Sequence, residues 1–295
     1  MFNQLALFPS QDRQISQFHK FANSYGLSLV VNHLSIPSDV VLAFVDSSRY
    51  EEVSKRYDLS NYKIIIVCPK EELPDTIKIF GTKALGFLGL TGELSSDWAD
   101  LMEICLKSKE NDLNEFGKCL VDIKSFTSTE KSEIVNLITQ NLSSSDLNSR
   151  IINQIASTAD ELIMNAFFDA PVDAQGNQLY NQVCRSKKIS SPLVHVQMTI
   201  DPFSNIILKV KDTYGSMKKD RLLSHLGKKL KSINYEPDLN YAGAGLGLVT
   251  SLKSGASLFF KVDPQNTTEV IVVFPRSKSY KAFRHQSQFL INCFK

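Results

Sequence analysis

The chain has 295 residues, a length that favours two domains, and its 43% hydrophobic and 22% charged content is that of an ordinary globular protein. Its formal net charge of +2 arises from scattered Lys and Arg, which gives no indication of a nucleic-acid or membrane-surface partner. The five cysteines are dispersed without a Cys-x-x-Cys pair, which argues against a disulfide framework or a zinc site. No apolar run approaches the roughly 20 residues that span a bilayer, and no signal peptide is evident, so we expect a cytoplasmic protein.

Short apolar segments alternate with amphipathic ones over residues 1–111. The expected strands are Gln4–Phe8, Leu27–Asn32, Val40–Val45, Lys63–Cys68 and Leu85–Leu88. The expected helices are Gln11–Tyr25, Arg49–Tyr57, Leu73–Phe80 and Ser96–Lys107. Alternation of this kind predicts a flavodoxin-like α/β domain, in which helices cover both faces of a parallel sheet. Runs such as VVLAFV and IIIV support this prediction, because they lack the alternation of a half-exposed strand.

This pattern of strands and helices resembles the receiver domain of response regulators in two-component systems. The resemblance implies that Asp46, at the end of the third strand, stands in the place of the phosphoacceptor. The rest of the site departs from the pattern: Asp12 is alone where an acidic pair is expected, Cys68 replaces a hydroxyl, and no lysine follows the fifth strand. Because Mg²⁺ needs several hard oxygen ligands, we interpret residues 1–111 as a pseudo-receiver for docking or dimerisation. Asp46 would then cap a turn, and phosphorylation of Asp46 is the alternative.

Residues 112–145 are expected to form connecting helices that carry a homodimer interface. The next helix is expected over Asp146–Phe168, because apolar residues recur at helical spacing after the start signal Ser144-Ser145-Asp146. Glu161 and Asn165 lie four residues apart on this helix and therefore share one face. An amide oxygen in such a pair can coordinate Mg²⁺, while the carboxylate can orient or deprotonate an attacking group.

Three further features follow in order along the chain. A strand expected over Ile206–Val210 runs into Asp212, a strand-end carboxylate that can accept a hydrogen bond from an adenine amine. A glycine-rich loop comes next, Gly243-Ala244-Gly245-Leu246-Gly247-Leu248, whose backbone N–H groups can close around phosphates. Thr268 then leads into a strand expected over Val270–Phe274.

The helix, the strand-end aspartate, the glycine loop and the closing threonine strand together resemble the GHKL ATPase superfamily, which includes sensor histidine kinases, DNA gyrase and anti-sigma serine kinases. The resemblance covers about Thr127 to Pro275, and it implies that residues 146–295 form an α+β sandwich with a mixed sheet. It also implies Mg²⁺ and ATP as cofactors, Glu161 as the catalytic base and Asn165 as the Mg²⁺ ligand. The residues that it places around the nucleotide are Asn165, Asp212, Gly215, Gly243, Gly245, Gly247, Leu248 and Thr268.

Two departures from the family pattern bear on this site. Tyr214 and Ser216 replace two glycines of the usual D-x-G-x-G motif, and Asp169 adds a carboxylate one turn beyond Asn165. We expect Tyr214 either to stack beside the purine or to crowd the lid. We expect Asp169 to lower the affinity for a triphosphate unless a cation compensates its charge.

Two functions are compatible with these residues. The first is a Mg-ATP-binding signal-transduction protein that acts as a serine/threonine kinase on a protein partner in the anti-sigma manner, with the lid lysines Lys228, Lys229 or Lys231 meeting the γ-phosphate. The second is a catalytically inactive pseudo-kinase whose docking to a partner depends on nucleotide. Histidine autokinase activity is not expected, because none of the five histidines is followed by an acidic residue. Glu161 and Asn165 favour the first function, whereas the altered aspartate motif and the degenerate receiver favour the second.

Overall fold

The computed structural model describes residues 4–10, 15–16, 18–19, 22–23, 28–31, 40–59, 62–81, 83–91, 117–173, 175–180, 190–231, 246–277 and 279–294. In this part of the chain, eleven strands form one sheet. The strands are β1 (Gln4–Phe8), β2 (Ser28–Val31), β3 (Val40–Asp46), β4 (Lys63–Pro69), β5 (Gly86–Leu90), β6 (Lys118–Thr127), β7 (Ser190–Ile200), β8 (Ile206–Asp212), β9 (Ser257–Asp263), β10 (Thr267–Phe274) and β11 (Gln288–Phe294). The α-helices are α1 (Tyr50–Arg56), α2 (Leu73–Phe80), α3 (Lys131–Ser143), α4 (Ser149–Met164), α5 (Lys219–Lys231), α6 (Leu246–Ser254) and α7 (Tyr280–Arg284).

The first five strands form a parallel sheet in the order β2-β1-β3-β4-β5. This is the strand order of flavodoxin-like folds, and it confirms the α/β class expected for residues 1–111. Successive side chains of β4 alternate between two buried layers, because Ile64 and Ile66 face one hydrophobic core while Ile65 and Val67 face the other. Since both faces of the sheet are covered, its strands can be apolar without alternation.

The other six strands extend the same sheet in the order β11-β9-β10-β8-β7-β6. Neighbours from β9 to β6 are antiparallel, whereas β11 is parallel to β9. Strand β6 corrects the expectation of helices throughout residues 112–145, because Lys118–Thr127 pairs with β7. Val121, Ile123 and Ser125 are the more buried residues at every second position of β6, which is the period of a strand.

Strand β11 joins the two halves of the sheet. It pairs antiparallel with β5, where Ile291 lies opposite Gly86, and parallel with β9, where Leu290 lies opposite Leu258. A Cβ atom on Gly86 would lie 2.8 Å from the carbonyl oxygen of Leu290, so the close approach of β5 and β11 requires glycine at this position. The two units expected from the sequence therefore share a single sheet rather than two separate ones.

Helices α2, α4, α5 and α6 contribute to the hydrophobic core on one side of the sheet. Helix α5 packs against α2, and Lys219 at its start donates a hydrogen bond of 2.9 Å to the carbonyl oxygen of Ala84. Helix α6 packs against α4, where Thr158 and Ser251 share a buried hydrogen bond of 2.6 Å. Within the described residues, no helix has the length and apolar character needed to cross a membrane.

Candidate functional site

Helix α4 carries the first pair of site residues. It begins after Asn148, whose side chain accepts a hydrogen bond of 3.0 Å from the backbone N–H of Arg150. The start signal expected at Ser144-Ser145-Asp146 was wrong: Ser144 is the C-terminal cap of α3, and Ser145 donates a hydrogen bond to the carbonyl oxygen of Leu142. The same residue types serve both helix ends, because a hydroxyl can accept at an N-terminus or donate at a C-terminus.

The end of α4 changes from α-helical to π-helical geometry at Asn165. The π-helical turn covers Asn165–Asp169, and the N–H of Ala170 donates to the carbonyl oxygen of Asn165 over 2.8 Å, an i to i+5 bond. Isolated π-turns are uncommon and occur often at functional sites. This turn separates Asn165 and Asp169 from the regular helix that carries Glu161.

Asn165 holds an unusual buried oxygen. Its Oδ1 atom is inaccessible to solvent and, within the described residues, accepts no hydrogen bond. A buried polar atom without a partner costs about 1–3 kcal/mol of stability. Glu161, one turn earlier, and Asp169, one turn later, are both half-buried. The carboxylate and amide that the sequence placed on one face of a helix therefore sit at the edge of the core, with the amide oxygen inside it.

Asp212 and Thr268 form a second pair, directly opposite each other on the antiparallel strands β8 and β10. Both residues are buried. Each lies two positions from a valine, Val210 on β8 and Val270 on β10, and both valines belong to the core on the helix-covered side of the sheet. Because side chains alternate along a strand, Asp212 and Thr268 project toward the same side as α4.

The loop after β8 wraps around the carboxylate of Asp212. Its Oδ1 accepts hydrogen bonds from the backbone N–H of Tyr214 at 2.9 Å and of Gly215 at 3.4 Å. Gly215 has φ +59°, and a Cβ atom there would lie 2.0 Å from the carbonyl oxygen of Asp263. Glycine is therefore required at this position, whereas Tyr214, where the family motif carries a glycine, is half-buried.

The carboxyl group of Asp212 titrates well above its ordinary range. Burial raises the pKa of Asp212 to about 6, and hydrogen bonds from Tyr214 and Gly215 oppose this rise. The group is therefore mostly ionised at neutral pH, but it loses that charge in mildly acidic solution.

Elements that carry the expected site residues pack against one another. The π-helical turn that carries Asn165 contacts β7 and β8, and Asp212 is the last residue of β8. Leu248, expected beside the nucleotide, is a buried core residue in the first turn of α6. Gly247 also lies in this helix, whereas Gly243 and Gly245 lie outside the described residues.

The expected lid lysines belong to a helix with a second role. Lys228 and Lys229 lie on α5, which packs against α2 of the first half of the chain, and Lys231 is the last residue of α5. The hydrogen bond from Lys219 to the carbonyl oxygen of Ala84 joins residues 135 positions apart, so local sequence patterns did not predict it.

Asp46 is engaged in a turn at the end of β3. It accepts hydrogen bonds from the Oγ of Ser10 at 2.8 Å, the N–H of Ser48 at 3.0 Å and the Oγ of Ser48 at 2.6 Å. Its side chain caps the 3₁₀ turn Ser47–Arg49, as the structural interpretation of this residue expects. Cys68, which stands where a receiver carries a hydroxyl, is buried, and burial raises the pKa of its thiol to about 12. Asp12, the acidic residue expected near Asp46, lies outside the described residues. No group of three or more His, Cys, Asp or Glu side chains in the described part of the chain could hold a metal ion.

No model of a known protein family matches the chain, and no curated protein matches it in sequence. Among solved structures, it is similar to "The crystal structure of SiaB-SiaC complex from Pseudomonas aeruginosa", at 13% identity and a TM-score of 0.34. The alignment covers 61% of this chain and 99% of that chain. A TM-score this low assigns neither a fold nor a function to this chain.

Proposed function

We propose that this chain is a Mg-ATP-binding signal-transduction protein of the GHKL type that phosphorylates serine or threonine on a protein partner. The observation that carries the proposal is the buried Oδ1 of Asn165, which has no hydrogen-bond partner among the described residues. The surrounding fold tolerates the cost of this oxygen at a π-helical turn, one helical turn from Glu161.

The residues present fit a magnesium ion that is held largely by the nucleotide. Mg²⁺ in ATP-dependent sites is commonly bound by one or two protein oxygens together with phosphate oxygens and water. Asn165 would offer one such hard oxygen once its side chain turns out of the core, and the described residues provide no protein-only cluster that would compete for the ion. The bound ion would neutralise part of the charge on the phosphates.

The adenine base would lie against the neighbouring side chains of Asp212 and Thr268. The bonds from Tyr214 and Gly215 both go to Oδ1 of Asp212, and Thr268 also contacts this carboxyl group. The exocyclic amine of adenine would therefore bind at Oδ2, beside Thr268. Recognition by a buried carboxylate is strong, since hydrogen bonds to charged groups contribute about 1.5–3 kcal/mol.

Glu161 is the residue that we assign as general base. Its carboxylate would take the proton of the attacking hydroxyl as the new bond to the γ-phosphorus forms and the bond to the β-phosphate oxygen breaks, which leaves ADP. Lys228 or Lys229 of α5 would meet the charge that develops on the γ-phosphoryl group.

A second candidate is a pseudo-kinase that only docks to its partner in a nucleotide-dependent way. Two observations favour it: the loop of Tyr214 already occupies Oδ1 of Asp212, and α5 is tied to the first half of the chain through Lys219. For this candidate, nucleotide binding would change the surface that the two halves of the chain offer to a protein partner or to a second copy of the chain.

Calorimetry with ATP and Mg²⁺ tests the shared part of both candidates. Asp212→Asn should weaken binding by about 1.5–3 kcal/mol, which is the worth of a hydrogen bond to a charged group. Asp75→Asn, an exposed change of the same kind on α2, should leave binding unchanged. Absence of binding to the wild type at millimolar ATP would refute both candidates.

Label transfer separates the two candidates. We expect γ-labelled ATP to label a serine or threonine of a co-purified partner, and Glu161→Gln to abolish labelling while Mg-ATP binding persists. Binding without any label transfer would refute the kinase and leave the pseudo-kinase.

A further inference from the structure

A cavity of about 620 Å³ lies between the two halves of the molecule, and its described lining includes neither Asn165 nor Asp212. We call it the junction cavity. It opens where β4 and β5 end and β11 begins, with walls from α2, α4, α6 and α7. Its basic lining residues are Lys70, Arg150, Lys253, Lys281, Arg284 and His285.

The charge of the junction cavity is one-sided. Among the lining residues that the structure describes, Glu71 is the one carboxylate, against five Lys and Arg side chains. In the part of the chain that the structure describes, neither Arg150, Lys281 nor Arg284 forms an ion pair with a carboxylate. A concave surface lined by one sign of charge concentrates field and attracts ligands of the opposite sign.

Hydrogen bonds between distant segments hold the walls of the cavity in place. Lys70 donates through Nζ to the carbonyl oxygens of Arg284 and Gln286, each over 2.7 Å. Thr91 donates from its hydroxyl to the carbonyl oxygen of His285, and its backbone N–H donates to the Oγ of Ser287 over 3.1 Å. The segment that carries Arg284 is therefore fastened to the ends of β4 and β5, and the carboxyl ends of parallel strands are where α/β sheets commonly bind ligands.

The cavity also has surfaces suited to the non-anionic part of a ligand. Leu73, Leu230 and Leu252 supply an apolar wall, and Tyr280 supplies an aromatic ring. The guanidinium of Arg150 lies 5.9 Å from the centroid of that ring, which holds its planar donor group at the cavity. A guanidinium held in this way can bind a phosphate group through two parallel hydrogen bonds.

We propose that the junction cavity binds a small phosphate-bearing ligand of about nucleotide size, held by Arg150, Lys281 and Arg284 between the two halves of the chain. Its volume lies in the range of small-molecule sites, about 300–1,000 Å³. The site is separate from the proposed Mg²⁺ ligand, because Arg150 lies in the first turn of α4 and Asn165 follows its end, about 22 Å away along the helix axis.

Pyrophosphate is the probe that tests this proposal. Calorimetry would titrate inorganic pyrophosphate into the full chain with EDTA present, so that no divalent cation supports the other site. The double variant Lys281→Gln/Arg284→Gln should bind at least about tenfold more weakly, since about 1.4 kcal/mol of lost charged contacts is a factor of ten. The matched control Lys55→Gln/Arg56→Gln removes one Lys and one Arg from the exposed face of α1 and should change affinity by less than about twofold.

Three further readings make the result decisive. Arg150→Gln, on α4, should also weaken pyrophosphate binding. Lys228→Gln should leave that binding unchanged, because Lys228 is proposed to meet the γ-phosphate of ATP and does not line the junction cavity. Together the two variants separate this site from the proposed ATP site. Raising the salt concentration should weaken binding to the wild type, because ionic contacts are screened. The proposal is overturned if the wild type does not bind pyrophosphate at millimolar concentration, or if the two double variants bind it equally well.

Discussion

Replacing Asn165 by leucine should make the ligand-free protein more stable while it removes nucleotide binding. The wild-type side chain buries Oδ1 without a hydrogen-bond partner among the described residues. Removing one such oxygen recovers about 1–3 kcal/mol, and leucine has nearly the same shape as asparagine with a better helix propensity. Stability and Mg-ATP binding should therefore change in opposite senses at this one position.

Asn205 supplies the matched control. It is also a buried asparagine, but its side chain donates to Oδ2 of Asp201 over 2.9 Å and its N–H donates to Oδ1 over 2.7 Å. Asn205→Leu leaves a buried carboxylate oxygen unpaired and should destabilise the protein by about 1–3 kcal/mol. The two substitutions have the same chemistry and opposite expected signs.

Thermal unfolding without nucleotide is the assay, followed by calorimetry with Mg-ATP. A change of 1 kcal/mol shifts the Tm by about 2–4 °C in a protein of 150–250 residues, so both changes are measurable. A lower Tm for Asn165→Leu would show that Oδ1 has a partner in the free protein. A higher Tm with undiminished Mg-ATP binding would show that the oxygen does not serve the nucleotide.

Two more predictions concern the loop after β8. Gly215→Ala should lower the free energy of unfolding by more than about 2 kcal/mol, because φ is +59° and the Cβ would meet the carbonyl of Asp263. Gly176→Ala, at φ +83° with open space around it, should cost only about 1 kcal/mol. Urea unfolding measures both costs, and equal costs would show that the loop relaxes around the new methyl group. Burial raises the pKa of Asp212 from 3.8 to about 6, so between these pH values the folded protein holds a proton on Asp212 that the unfolded chain has lost. The free energy of unfolding should therefore fall by up to about 3 kcal/mol as the pH rises from 4 to 7. Asp212→Asn should remove this component of the pH dependence, and an unchanged profile would refute the assignment.

The parallel sheet could be predicted because its strands are visible in the sequence as short apolar runs. The run Ile64–Val67 is apolar at every position, which only a strand buried on both faces requires. Strand β6 was missed although Val121, Ile123 and Ser125 alternate with the exposed Asp122 and Lys124, because three positions are a short run and helix α3 follows after one 3₁₀ turn. Its position at the edge of the sheet lets solvent accept those charges.

The site could be predicted in part for a related reason. Glu161 and Asn165 share a helix, and Asp212 ends a strand, so their relation to local structure is visible in the sequence. The π-turn at Asn165 and the burial of its oxygen depend on packing against β7 and β8, which no local pattern records. The junction cavity depends on contacts such as that of Lys70 with Arg284, which are separated by 214 residues.

Strand β11 has a consequence for the order in which the molecule can assemble. It follows every other described strand along the chain, yet it lies between β5 and β9. During synthesis, both neighbours therefore present unpaired N–H and C=O groups until residues 288–294 leave the ribosome, and such open edges invite pairing between nascent chains. The edge of β5 is complete about 200 residues before β11 begins, whereas the edge of β9 waits for only about 25. The parallel strands therefore keep one unpaired edge for most of translation.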